Sequence, residues 1–234
     1  MASSESPHTP ERSSPQREEP MGKKKFVKEY LEPIVIAVLI ALFIRTFVVQ
    51  AFKIPSSSME PTLLVGDYIL VNKFIYGIRI PYWDKLSRTH TDKKYEWKKP
   101  QRGDVIVFIY PEDRSKDFIK RVIATEGEKV DIVGRKIYIN DQLIEDPWGV
   151  YNEKRVWQRE IGQAGKYEHV EKVPKDHLFV LGDNRDNSAD GRIWGFVHVN
   201  AVKGKAFVIY FSWDHLAQSL LDSVRWGRLA KLIH

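Results

Sequence analysis

Three short stretches hold the residues whose types and spacing could do chemistry. PSSSMEPT, residues 55–62, sets three serines between two prolines. A serine hydroxyl attacks well only when a base takes its proton, and this stretch contains no such base. It reads equally well as a polar loop, in which Pro55 and Pro61 exclude a regular helix and hold the serines extended or in a turn. DFIKRVIAT, residues 117–125, has strand character. At period two, Phe118, Lys120, Val122 and Ala124 share one face, and Ile119, Arg121 and Ile123 share the other. A lysine in that company either lies at a sheet edge and snorkels to water or is buried. Burial disfavours the charged amine, and a neutral amine can accept a serine proton. LGDNRDNSADGR, residues 181–192, is too dense in Asp, Asn, Arg and Gly for a strand. It is either an exposed loop or a knot of side-chain hydrogen bonds around a site.

The rest of the chain narrows the chemistry. The absence of cysteine excludes disulfides, thiol catalysis and Cys-ligated metals. The seven histidines show no HxH or HExxH spacing, and no GxGxxG or GxxxxGK[ST] loop occurs. DNRDNSADG does not follow the calcium-loop pattern. We therefore expect neither metal nor cofactor. A net charge of +6 is spread over many segments rather than gathered in a stripe, which argues against nucleic acid as a partner. RGD at 102–104 reads as the turn into the strand VIVFIY.

Four kinds of segment must position these residues. Residues 1–22 are rich in Ser, Pro, Glu and Arg and poor in large apolar side chains, the composition of a disordered tail. Residues 23–32 are basic. Pro33–Phe52 is uncharged except for Arg45, and its length matches a helix crossing hydrocarbon. A buried core helix or a cleaved signal peptide would be the alternatives, but the run is long for either, and FKIPSSSM is no A-x-A-like cleavage site. An uncleaved transmembrane anchor is expected. The lysines at 23, 24, 25 and 28 place the N-terminus in the cytoplasm and everything beyond residue 52 outside.

From 53 to 215 the pattern is one of short period-two runs, at 67–74, 104–110, 117–125, 129–133, 135–140, 177–183 and 203–213, separated by turn residues. This predicts a mostly β, antiparallel domain, with an inserted loop or ribbon over about 141–175. Residues 216–234 form an amphipathic, basic segment that reads as a helix packed on the domain or as a contact with the membrane surface.

Taken together, SSSMEPTLLVGD, RGDVIVF leading to DFIKRVIA, and GDNRDNSADGR followed by WGFV resemble the bacterial type I signal peptidases, membrane-anchored serine endopeptidases of peptidase family S26. The motifs stand in the family's order from the anchor to the C-terminal region. The resemblance implies Ser58 as nucleophile and Lys120 as general base. It implies an oxyanion hole from Ser56 and the Ser58 backbone N–H. Ser188 would hydrogen-bond the lysine, Asp190 would support the site, and Ser57 would be a spacer. Gly191 departs from the family, which often has Ser there. The implied fold has two antiparallel sheets and an inserted β-ribbon behind one transmembrane helix. Implied partners are signal peptides with small residues at −1 and −3, the lipid bilayer and, by proximity, the secretion translocon. The implied location is the cytoplasmic (inner) membrane, single-pass, with the catalytic domain on the outer side. Two other classes fit parts of the pattern: a self-cleaving repressor with a Ser-Lys dyad, and a membrane-tethered binding protein without activity.

Overall fold

The period-two runs become strands because each buries one or both rows of its side chains. A computed structural model describes residues 27–79, 94–151, 169–170, 172–217 and 219–234. The tail 1–22 lies outside the described residues, as do the start of the basic segment and most of the expected insertion.

Helix α1, Glu32–Phe43, follows a π-helical turn at Val27–Leu31 and runs into another at Ile44–Val48. None of its residues is buried. Among the described residues no single helix is long and apolar enough to cross a membrane. The apolar span also ends differently from expectation. Val49–Lys53 is strand β1, paired in register with β2, Asp67–Asn72, so that Val49 faces Asn72 and Phe52 faces Ile69. Phe52 packs against a buried cluster of the domain, and ladder hydrogen bonds replace the helical ones. Residues 49–52 therefore belong to the β domain and not to an anchor helix.

The remaining strands are β3 Gly77–Arg79, β4 Lys94–Glu96, β5 Val105–Ile109, β6 Asp117–Thr125, β7 Val130–Val133 and β8 Lys136–Ile139. They continue with β9 Gln142–Leu143, β10 His169–Val170, β11 His177–Leu181, β12 Val197–His198, β13 Val202–Ser212 and β14 Lys231–Leu232. An eight-stranded sheet has the order β1-β2-β13-β5-β6-β11-β12, with β14 added to β13. A four-stranded sheet runs β10-β7-β8-β9, and β3 pairs with β4 as a separate ribbon. Among the described strands every ladder is antiparallel. The mostly β antiparallel expectation holds, with a two-stranded ribbon beside the two larger sheets.

Strand β6 departs from strict alternation. Ala124 pairs with Phe179 and Val122 with Val180, so Ile123 is the extra residue of a β-bulge. A bulge turns the strand locally. Val122 accordingly packs in the cluster of Phe108 and Val180, while Ala124 joins Ile123 beside Phe179. The expected common face of Phe118, Lys120, Val122 and Ala124 stops at Val122.

The C-terminal segment is not one helix. Its pieces are α2, Leu220–Ser223, a 3-10 turn at Trp226–Arg228, and β14. Tertiary contacts override the helical pattern here. Arg228 donates from Nε to Asp67 and from Nη2 to the Thr62 carbonyl at 2.9 Å, Ile233 is buried with Met59 and Leu63, and β14 pairs with Val208 and Ile209.

Candidate active site

The serine turn is plugged into the domain from below. Ser57–Met59 forms a single 3-10 turn entered from an extended Ser56. Met59 and Leu63 are completely buried and Ile54 nearly so, all in one cluster with Val105, Val107 and Ile119 of the central strands. Burying side chains of this size is worth roughly 1.5–3 kcal/mol each, which fixes the turn between them.

Lys120 comes from the middle of β6, whose neighbours are β5 and β11. The edge-strand reading is therefore wrong: Lys120 is 4% exposed and cannot reach water by snorkelling. Its Nζ donates to Ser58 Oγ at 2.6 Å, across 62 residues of sequence. Burial pushes the amine down from 10.5 to about 8, against the opposing pull of the Asp190 and Asp183 carboxylates, while Arg192 pushes in the same direction as burial. Once neutral, its lone pair faces the Ser58 hydroxyl. Ser56 Oγ lies 3.4 Å from Ser58 Oγ and is exposed, at the open side of the pair.

The third motif closes around this pair. Asp190, fully buried, accepts from the Gly182 N–H at 3.0 Å and pairs with Arg192 through Nε at 2.8 Å and Nη2 at 2.9 Å. Ser188 Oγ is buried without a hydrogen-bond partner. The expected bond from Ser188 to Lys120 is thus not formed, and the hydroxyl packs against Gly182. A Cβ on Gly182 would stand 2.2 Å from Ser188 Oγ and 2.4 Å from the Ser58 carbonyl oxygen, so only glycine lets this loop approach the nucleophile turn. Gly191 has a similar reason. A side chain there would meet Phe179 at 2.8 Å and the Val180 carbonyl at 2.9 Å, which accounts for glycine where the family often has serine.

Sequence reasoning missed the residues that hold this loop. Arg121, beside the lysine, is fully buried and pairs bidentately with Asp183, Nε at 2.8 Å and Nη2 at 2.7 Å. It also donates to the Gly103 and His234 carbonyls and lies 4.6 Å over the Trp148 ring. Asp183 further accepts from Thr62 Oγ1 at 2.6 Å. Arg185 donates to the Gly182 carbonyl at 3.1 Å and pairs with Asp146 through both Nη atoms. Asn184 donates from N to the Ser58 carbonyl and from Nδ2 to the Ser57 carbonyl, each at 3.1 Å. Asn187 Nδ2 donates to Ser57 Oγ at 2.6 Å, so Ser57 is no bare spacer. The density of GDNRDNSADGR was a signal for a hydrogen-bonded knot, but nothing local pointed to Asp146 or Trp148.

Among the described residues no group of three or more His, Asp or Glu is arranged to hold a metal ion. What the site offers is an activated hydroxyl, a buried amine, and hydroxyl and amide donors beside them. That is the equipment of acyl transfer.

Comparison with known proteins places the chain among peptidases. Residues 27–213 match the family described as signal peptidase, peptidase S26. Signal peptidase I of Pseudomonas aeruginosa is 37% identical over 88% of this chain and 80% of its own length. That of Pseudomonas fluorescens is 36% identical over 83% and 76%, and that of Aquifex aeolicus is 34% identical over 80% and 85%.

Proposed function

This chain belongs to the signal peptidase family, peptidase S26, and is a signal peptidase I hydrolase; from that premise we propose that it cleaves N-terminal signal peptides from preproteins with Ser58 and Lys120 as its dyad. The carrying observation is the buried Lys120 Nζ, held 2.6 Å from Ser58 Oγ. Neutral Lys120 takes the Ser58 proton as Oγ attacks the scissile carbonyl carbon. The carbonyl π pair moves onto oxygen, which the Ser58 backbone N–H and the Ser56 hydroxyl stabilise. Collapse expels the leaving amine with a proton from the Lys120 ammonium. Water, deprotonated by the same amine, then hydrolyses the ester and frees Ser58. Asp190 supports the dyad through Gly182 and through its charge. Family membership sets aside the self-cleaving repressor and the inactive binding protein.

We further propose that α1 and its flanking helical turns are the membrane anchor. Ile34, Val35, Val38, Leu39, Leu42 and Phe43 are all exposed. An apolar helix with no protein face to bury finds its partner in hydrocarbon. The 12 residues of α1 rise about 18 Å, and the turns on either side bring the helical course nearer the ~30 Å that a bilayer core requires. Arg45, exposed at the far end, reaches the headgroups. The β domain then lies on the outer face, near the translocon, where substrates with small −1 and −3 residues present their cleavage sites.

The test is cleavage of a secretory precursor by the detergent-purified full chain beside Ser58→Ala. Loss of at least about 10⁴-fold on removal of a nucleophile is expected, with membranes retaining the variant after an alkaline wash. Turnover by Ser58→Ala near the wild-type rate would rule out the assignment, and release of the chain by the wash would rule out the anchor.

A further inference from the structure

We infer that Ser57 is a positioning residue for the neighbouring nucleophile, gripped by an asparagine fork formed by Asn184 and Asn187. The inference rests on the reading of Ser58 as nucleophile. Ser57 opens the one-turn helix Ser57–Met59. Its carbonyl accepts from Asn184 Nδ2 at 3.1 Å and its Oγ accepts from Asn187 Nδ2 at 2.6 Å. The Asn184 N–H reaches one residue further, to the Ser58 carbonyl, at 3.1 Å. Three donors from one short stretch therefore hold two consecutive residues of the turn.

The fork is itself rigidly mounted. The Val150 N–H donates to the Asp183 carbonyl at 2.7 Å, and the Arg185 N–H returns to the Val150 carbonyl at 2.9 Å. Arg185, almost fully buried, is fastened to Asp146 and to the Gly182 carbonyl. Below the turn, Met59 is sealed in the core. Ser58 thus stands between an apolar plug on one side and a fixed polar fork on the other. That arrangement restricts the turn, and so keeps Oγ at hydrogen-bonding distance from Nζ and the Ser58 N–H aimed at the oxyanion. Reaction rates fall steeply when such groups drift by even about 1 Å.

The Ser57 hydroxyl is committed to Asn187 and takes no part in the Ser58–Lys120 bond. Losing it should slow the chemical step without weakening substrate binding or moving the titration of Lys120. We expect Ser57→Ala to lower kcat about five- to tenfold, the effect of one hydrogen bond, with KM and the acidic limb of the pH profile unchanged. Ser57→Thr, which keeps the hydroxyl, should restore kcat. Asn187→Ala should cost as much as Ser57→Ala, and the double variant no more than either alone.

The experiment is precursor cleavage kinetics on the detergent-purified full chain for these four variants, with Ser58→Ala alongside. Wild-type kcat in Ser57→Ala, a change confined to KM, additive losses in the double variant, or a Ser57→Thr variant as slow as Ser57→Ala would each overturn the inference while Ser58→Ala stays inactive. Cleavage by Ser58→Ala would instead overturn the underlying assignment.

Discussion

Replacing Lys120 by methionine should abolish activity and, at neutral pH, stabilise the fold. The unfolded chain carries this amine at its ordinary 10.5, whereas burial holds the folded one at about 8. Because the folded pKa of this base is depressed, the unfolded state binds more protons between those two values. Stability therefore rises with pH through the window from 8 to 10.5 and is lowered in full below it. At pH 7 the handicap of this one group is about 3 kcal/mol, and at pH 10 it is below about 1 kcal/mol. No discount for solvent screening is due, since Lys120 is 4% exposed. Methionine is unbranched and of similar volume, so packing changes little. It forfeits the bond to Ser58, worth roughly 1 kcal/mol. The net expectation is an inactive protein more stable than wild type by about 2 kcal/mol at pH 7, with the advantage gone by pH 10. Denaturant unfolding of the full chain in detergent, followed by tryptophan fluorescence at pH 7, 8.5 and 10, measures the difference. Two curves that stay parallel across that range would refute the claim that burial depresses Lys120.

The other expectations concern activity and the loop. The acidic limb of kcat/KM should lie near pH 8, with the rate rising about tenfold from pH 7 to 9 as Lys120 loses its proton; a flat profile over that interval would exclude it as base. Asp190→Asn removes the first of the carboxylates that hold the Lys120 pKa up, so the same limb should move to lower pH, and an upward move would show that this charge does not act on the amine. Ser56→Ala should lower kcat about 10²- to 10³-fold with KM little changed, as loss of an oxyanion donor does, and steady-state kinetics would expose a purely structural role as an unchanged kcat. Asp183→Asn leaves the fully buried Arg121 short of its carboxylate, and a broken pair of this kind costs about 3–5 kcal/mol, readable as a lowered unfolding midpoint.

Much of this protein is decided locally, and so was legible in the chain. Short apolar runs bounded by turn residues place β2, β5, β6, β7, β8, β11 and β13 to within a residue or two. By contrast, β1 and β14 fall in segments whose pattern suits a helix, and β3, β4, β9, β10 and β12 are too short to give a run of their own. DFIKRVIAT is strand β6 from end to end. The proline-flanked serines and the dense Asp/Asn/Arg loop are likewise consequences of backbone restriction and side-chain polarity over a few residues. It is the resemblance of the three motifs together to one family that implies a serine hydrolase.

What tertiary structure decided is everything that depends on which segment lies next to which. The Lys120 amine is pushed down to about 8 only because β6 has a strand on each side and the side chain thereby loses water; on an edge the same sequence would carry an ordinary ammonium. Val48 to Phe52 is apolar enough for helix or strand, and pairing with β2 settles it after Val48. The bulge at Ile123 is imposed by the register with β11. The pairs Arg121–Asp183 and Arg185–Asp146 join residues far apart in the chain, and charge has no sequence range, only a distance. Ser57 makes the same point at the smallest scale. Nothing in PSSSMEPT distinguishes its hydroxyl from the two beside it. The fold gives Ser58 a buried amine, leaves Ser56 at the open side, and sets Ser57 against Asn187.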